Sequence, residues 1–80
     1  MDSDPPRFSL LFVDDDPQIL SLLKGIFAKE GYHIHTAPNG PDALSLLAKT
    51  NIDAALIDLR MPEMDGLTLL EKIRDILKLW

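Results

Sequence analysis

The 80-residue sequence predicts an α/β fold: a parallel β-sheet with helices packed on its faces. Three observations carry this. Three short apolar segments are each followed by a segment of helical periodicity. Each helical segment opens on a recognisable start signal. Two of the apolar segments stop abruptly at acidic residues. The resulting order, β-α-β-α-β-α, implies parallel strands joined by right-handed crossovers.

Residues 1–7, MDSDPPR, read as a disordered lead-in, since Pro5 and Pro6 cannot open a central strand. Phe8 to Val13 is apolar without alternation, the mark of a strand buried on both faces. Asp16 and Pro17 then supply an N-cap carboxylate and a proline for the first helical position. Ile19, Leu22, Leu23, Ile26 and Phe27 follow at helical spacing, and Gly31 is expected to end this helix. Tyr32 to Ala37 is rich in strand formers and partly alternating, so it reads as a more peripheral strand. Asn39-Gly40-Pro41-Asp42 opens a second helix, with Ala43, Leu44, Leu46 and Leu47 on its apolar side and an end near Asn51. Ile52 to Leu59 is the third strand, broken by Met61-Pro62. Asp65-Gly66 leads into a third helix whose stripe is Leu67, Leu70, Ile73, Leu77 and Trp80.

Composition excludes several function classes. A chain of this length forms one small domain and buries only about 60% of its unfolded surface. The absence of cysteine removes disulfides and thiolate zinc sites, in keeping with a cytoplasmic location. The apolar runs are far too short to span a membrane, and the acidic, proline-containing start is unlike a signal peptide. A net charge of −5 argues against nucleic acid as a partner and favours cations and basic surfaces.

In open α/β sheets, ligands bind beyond the carboxyl ends of the strands, where strand order switches. The first strand ends in Asp14, Asp15 and Asp16, and the third at Asp58. If these strands are neighbours, Asp14, Asp15 and Asp58 converge. Their mutual repulsion then calls for a cation, and Mg²⁺ is the common hard ion for an all-oxygen set. Asp16, directly before Pro17, reads instead as a helix cap.

Two segments, FVDDD before Pro17 and LIDLRMPEMDG at 56–66, resemble the response-regulator receiver domain of two-component signalling. The resemblance runs from about Ser9 to the C-terminus. It implies a flavodoxin-like (CheY-like) parallel sheet with flanking helices, truncated here to β-α-β-α-β-α and lying in residues 8–80. The family's strand order, 2-1-3-4-5, makes strands one and three adjacent. By the same resemblance, Asp58 is the phosphoacceptor, served by a sensor histidine kinase or phosphotransfer protein. Asp15 is a direct Mg²⁺ ligand, Asp14 holds the ion through water, and Arg60 offers its backbone carbonyl. Met61, Pro62 and Gly66 shape the loop around the site. The family has five βα units. Its fourth-strand Ser or Thr and fifth-strand Lys have no counterpart in these 80 residues, and Thr68 and Lys72, inside the third helix, do not match them.

Other residues are expected to be structural. His33 and His35 share a face of the second strand, but they lack an evident carboxylate or cysteine partner nearby in sequence to complete a metal site. Tyr32 and Trp80 read as packing residues, Asp42 and Asp65 as helix-start acids, and Glu63 as a loop charge. A Mg²⁺-dependent phosphatase of the haloacid-dehalogenase type would use Asp14-x-Asp16, but the length and the 56–66 loop argue against it. The chain is therefore expected not to be an enzyme. The alternative is a receiver that works only as an interaction or dimerisation module. With no fourth strand, Ile52 to Leu59 is expected at a sheet edge and the first helix to keep an uncovered apolar face, so self-association, most simply a homodimer, is also expected.

Overall fold

The computed structural model describes residues 8–61 and 64–77. Residues 1–7, Pro62, Glu63 and 78–80, and with them the expectations for the lead-in, Pro62, Glu63 and Trp80, lie outside that range. The elements are β1 (Ser9–Val13), α1 (Pro17–Ala28), β2 (His33–Ala37), α2 (Gly40–Lys49), β3 (Ala54–Ile57) and α3 (Gly66–Leu77). The expected β-α-β-α-β-α order is present in full.

The strands form one parallel sheet in the order β2-β1-β3. Val13, at the end of β1, lies beside Ala37 of β2 and Ile57 of β3. The strand most apolar in sequence is thus the central one, with Leu11, Phe12 and Val13 all buried. Successive side chains on a strand point to opposite faces. Leu11 and Val13 join Ala37, Ala43, Met61 and Leu69 in a buried cluster under α2 and α3. Phe12 points the other way, toward α1, where its ring lies 5.3 Å from that of Phe27. Tyr32 extends this aromatic group to Phe8 and Phe27, the packing role expected of it.

β3 is shorter than the expected 52–59, and an Asp side chain acts at each end. Asp53 turns its carboxylate onto the Ser9 N–H, 2.6 Å away, and its own N–H donates to the Ser9 carbonyl. After Ile57, Asp58 still donates its N–H to the Val13 carbonyl at 2.9 Å, but its side chain takes the Arg60 N–H and bends the chain out of the sheet. Short Asp side chains can bond backbone groups in this way and so compete with the ladder.

α1 ends at Ala28 rather than running to Gly31. The Glu30 and Gly31 N–H groups bond the Phe27 and Ala28 carbonyls, and Gly31 takes the positive φ of 89° that closes the turn. The apolar residues of α1 divide into two stripes. Leu20, Leu23 and Phe27 turn toward the sheet, whereas Ile19, Leu22 and Ile26 remain 39–59% exposed. Leu56, on the α1 side of β3, is 56% exposed, and β3 has one strand neighbour among the described residues. A helix that packs over β2 and β1 does not reach across to Leu56. No helix of the described residues is long and apolar enough to cross a membrane.

Candidate functional site

One further hydrogen bond on each side of β1 continues the pairing past the strand ends, and this builds the site. The Asp14 N–H donates to the Ala37 carbonyl at 3.2 Å, and the Asp58 N–H donates to the Val13 carbonyl at 2.9 Å. Asp14 and Asp58 therefore leave the sheet edge side by side, with Asp15 next in the chain. One carboxylate oxygen from each of Asp14, Asp15 and Asp58 lies within 4.8 Å of the others. Among the described residues no other His, Cys, Asp and Glu side chains gather in this way. Asp14 and Asp58 are half-buried and Asp15 is exposed, so the cluster opens to solvent at the carboxyl edge of the strands.

Backbone donors orient the acids. Asp14 Oδ1 accepts the Asp16 N–H at 2.9 Å, and Asp58 Oδ1 accepts the Arg60 N–H at 3.1 Å. Each is a side chain bonding its own chain two residues on, which fixes the carboxylate's rotation and turns the loop. Asp16 accepts the Gln18 N–H at 2.9 Å, with Pro17 opening α1, and so is the expected helix cap. An all-oxygen, threefold acidic donor set suits a hard divalent cation that retains water, which is the chemistry of Mg²⁺.

The loop after Asp58 is held at several points. Met61 is buried in the cluster beneath α2 and α3. The Gly66 N–H donates to the Leu59 carbonyl at 3.2 Å. A Cβ on Gly66 would stand 2.5 Å from the Asp58 carbonyl oxygen and 2.8 Å from Leu59 Cα, so only glycine allows α3 to begin this close to Asp58. Arg60 is exposed, and its backbone lies at the turn made by Asp58. Met64, which the sequence did not single out, packs on Gly40 at the start of α2. The only sequence signal for it was its place in the M-P-E-M-D-G run. His33 is exposed and His35 half-buried on β2, outside the acidic cluster.

The family profile described as the response regulator receiver domain matches residues 10–78. The regulatory protein AtoC of Escherichia coli is 43% identical over 65 residues, covering 81% of this chain and 14% of its own length. The chemotaxis protein CheY4 of Vibrio cholerae superposes with a TM-score of 0.88 at 27% identity, over 91% of this chain and 61% of that one. The response regulator TrrA of Thermotoga maritima, solved in complex with Mg²⁺-BeF, gives a TM-score of 0.83 at 41% identity, over 89% and 62%. The chain thus spans a small part of the curated regulators it matches and about three fifths of these solved receivers.

Asp65, at the start of α3, has its acidity altered by its helix-cap bonds. The Thr68 N–H, donating at 2.8 Å, and then the Thr68 side chain and the Leu67 N–H hold its carboxyl below the ordinary 3.8, against a smaller opposing effect of desolvation. A carboxylate with a lowered folded value contributes stability above 3.8 and loses it as pH falls through the lowered value. Asp65→Asn keeps a competent cap but no titration. The gap in urea midpoint between the parent and Asp65→Asn is expected to narrow between about pH 6 and about pH 3. A gap that stays constant contradicts this reading.

Proposed function

The chain belongs to the response-regulator receiver family of two-component systems, and from that premise we propose that it accepts a phosphoryl group on Asp58. The donor is the phosphohistidine of a sensor histidine kinase or phosphotransfer protein, and the setting is the cytoplasm. The observation that carries the proposal is the meeting of Asp14, Asp15 and Asp58 at the carboxyl edge of the sheet.

Asp14, Asp15 and Asp58, with the Arg60 backbone carbonyl, would hold Mg²⁺. The bound ion would neutralise charge on the transferring group's oxygens. The remaining chemistry belongs to the chain. A carboxylate is a competent nucleophile toward phosphorus. The Arg60 N–H holds Asp58 Oδ1, and Asp58 Oδ2 has no bond within the described residues and is available to react. A new O–P bond forms as the donor's N–P bond breaks, and the bonding pair leaves with the imidazole nitrogen. The product is an acyl phosphate on Asp58. Met61 and Gly66 keep the loop in place during this exchange. This role makes the chain a phosphoacceptor rather than an enzyme acting on an external substrate. Its net charge of −5 sets it against nucleic acid as a partner.

A second property rests on a different observation. Ile19, Leu22, Ile26 and Leu56 are exposed, and β3 is an edge of the sheet among the described residues. Unpaired edges and apolar patches favour pairing with another chain. We propose that the occupant is a second copy, since a two-fold axis at β3 pairs two identical edges and gathers both apolar faces in one contact. This contact also serves the alternative role, an interaction module without phosphorylation.

Two measurements check these proposals. Incubation with a phosphorylated histidine kinase is expected to give a Mg²⁺-dependent, base-labile adduct on the parent and none on Asp58→Asn. Equal labelling of both would remove Asp58 as acceptor, and no labelling of either would favour the interaction module. Sedimentation equilibrium is expected to show a mass that rises from monomer toward dimer with concentration. A monomeric mass throughout would end the self-association proposal.

A further inference from the structure

Gly40 is buried at the first position of α2, where its backbone is not in the left-handed region. Its dihedral angles therefore do not require glycine. The space does: a Cβ there would meet Met64 Sδ at 2.5 Å, Cβ at 2.9 Å and Cγ at 3.0 Å. A rotamer change can move the sulfur aside. It cannot move the Met64 Cβ, which shifts only with its backbone. Gly25, in α1, has nothing within 4 Å, so glycine there meets no such demand.

Met64 is half-buried against the core and lies two residues before Gly66. Gly66 in turn abuts the Asp58 carbonyl and donates to that of Leu59, between Asp58 and Arg60. A displacement at Met64 is thus passed within two residues to the backbone beside Asp58. Close-packed contacts of this kind transmit shifts rather than absorb them.

We infer that Gly40 is a positioning residue for the Asp58 site: its bare backbone seats Met64, and the seat of Met64 sets the chain that turns around Asp58. The inference rests on the proposed phosphoacceptor role. It adds that the start of α2, a separate element, controls the geometry of the acceptor loop. Residues that orient ligands without touching the metal change its affinity by about 10- to 100-fold when altered.

The test compares the full chain with Gly40→Ala, Gly25→Ala, Met64→Gly and the Gly40→Ala/Met64→Gly pair, by amide spectra without and with Mg²⁺. Gly40→Ala is expected to move the ion-free Leu59, Arg60 and Gly66 signals and to weaken Mg²⁺ binding by about 10-fold, whereas Gly25→Ala leaves both unchanged. Met64→Gly empties the seat without adding a clash and is expected to move the same signals, so it decides the matter even where Gly40→Ala fails to fold. In the Met64→Gly background, Gly40→Ala is expected to have no further effect, because the atoms it would strike are gone. Unchanged site signals in folded Gly40→Ala or Met64→Gly, or an undiminished effect of Gly40→Ala in the Met64→Gly background, would overturn the inference. Absence of any Mg²⁺ response in the parent would count against the phosphoacceptor reading, and the ion-free signals would still decide the role of Gly40.

Discussion

Parallel pairing of β1 with strands on both sides is the constraint on which the rest depends. Its register puts Val13 between Ala37 and Ile57, and continuing that register by one hydrogen bond on each side aligns Asp14 with Asp58. A slip of one residue on β3 would turn Ile57 out of the core and Asp58 away from Asp14. Burial of Leu11 and Val13 on one face, and of Phe12 on the other, is what holds the register. The same hydrophobic pattern that stabilises the sheet thereby brings three negative charges together at its edge.

Gathering like charges opposes folding, and local structure limits that opposition. Asp14 and Asp58 each spend one oxygen on a backbone N–H two residues ahead, so part of each charge faces a fixed dipole. Asp15 is exposed to water. What remains is an acidic cluster of three oxygens within 4.8 Å, a donor set of the kind that hard divalent cations take. The loop beyond it is stiffened by packing rather than by secondary structure, through Met61 in the core, Met64 on Gly40 and Gly66 against Asp58. A phosphoacceptor needs this combination, because positioning and charge neutralisation supply most of the catalysis of phosphoryl transfer.

Much of this was legible in the sequence, because the signals were local. Apolar runs ending in acid marked β1 and β3, Asp16-Pro17 marked the start of α1, and Asp65-Gly66 that of α3. The convergence of Asp14, Asp15 and Asp58 follows from the adjacency of strands one and three. What could not be read depends on contacts distant in sequence or on competition among close ones. Asp53 shortens β3 by turning onto Ser9, a partner 44 residues away. The split of the α1 stripe into Leu20, Leu23 and Phe27 inward and Ile19, Leu22 and Ile26 outward depends on where the helix crosses the sheet, which periodicity does not specify. The Gly40–Met64 contact joins the start of α2 to the loop before α3, with no shared signal in the chain.

Under the proposed function, the carboxyl ends of β1 and β3 form one cation site. The most direct measurement uses Mn²⁺, a paramagnetic ion of similar oxygen preference, added at substoichiometric amounts while amide signals are followed. The account predicts selective broadening of Asp14, Asp15, Asp58 and Arg60, reversed by excess Mg²⁺ and much reduced in Asp15→Asn. Broadening centred on Asp42, Glu71 or any other acidic surface, or broadening that Mg²⁺ does not reverse, would contradict it.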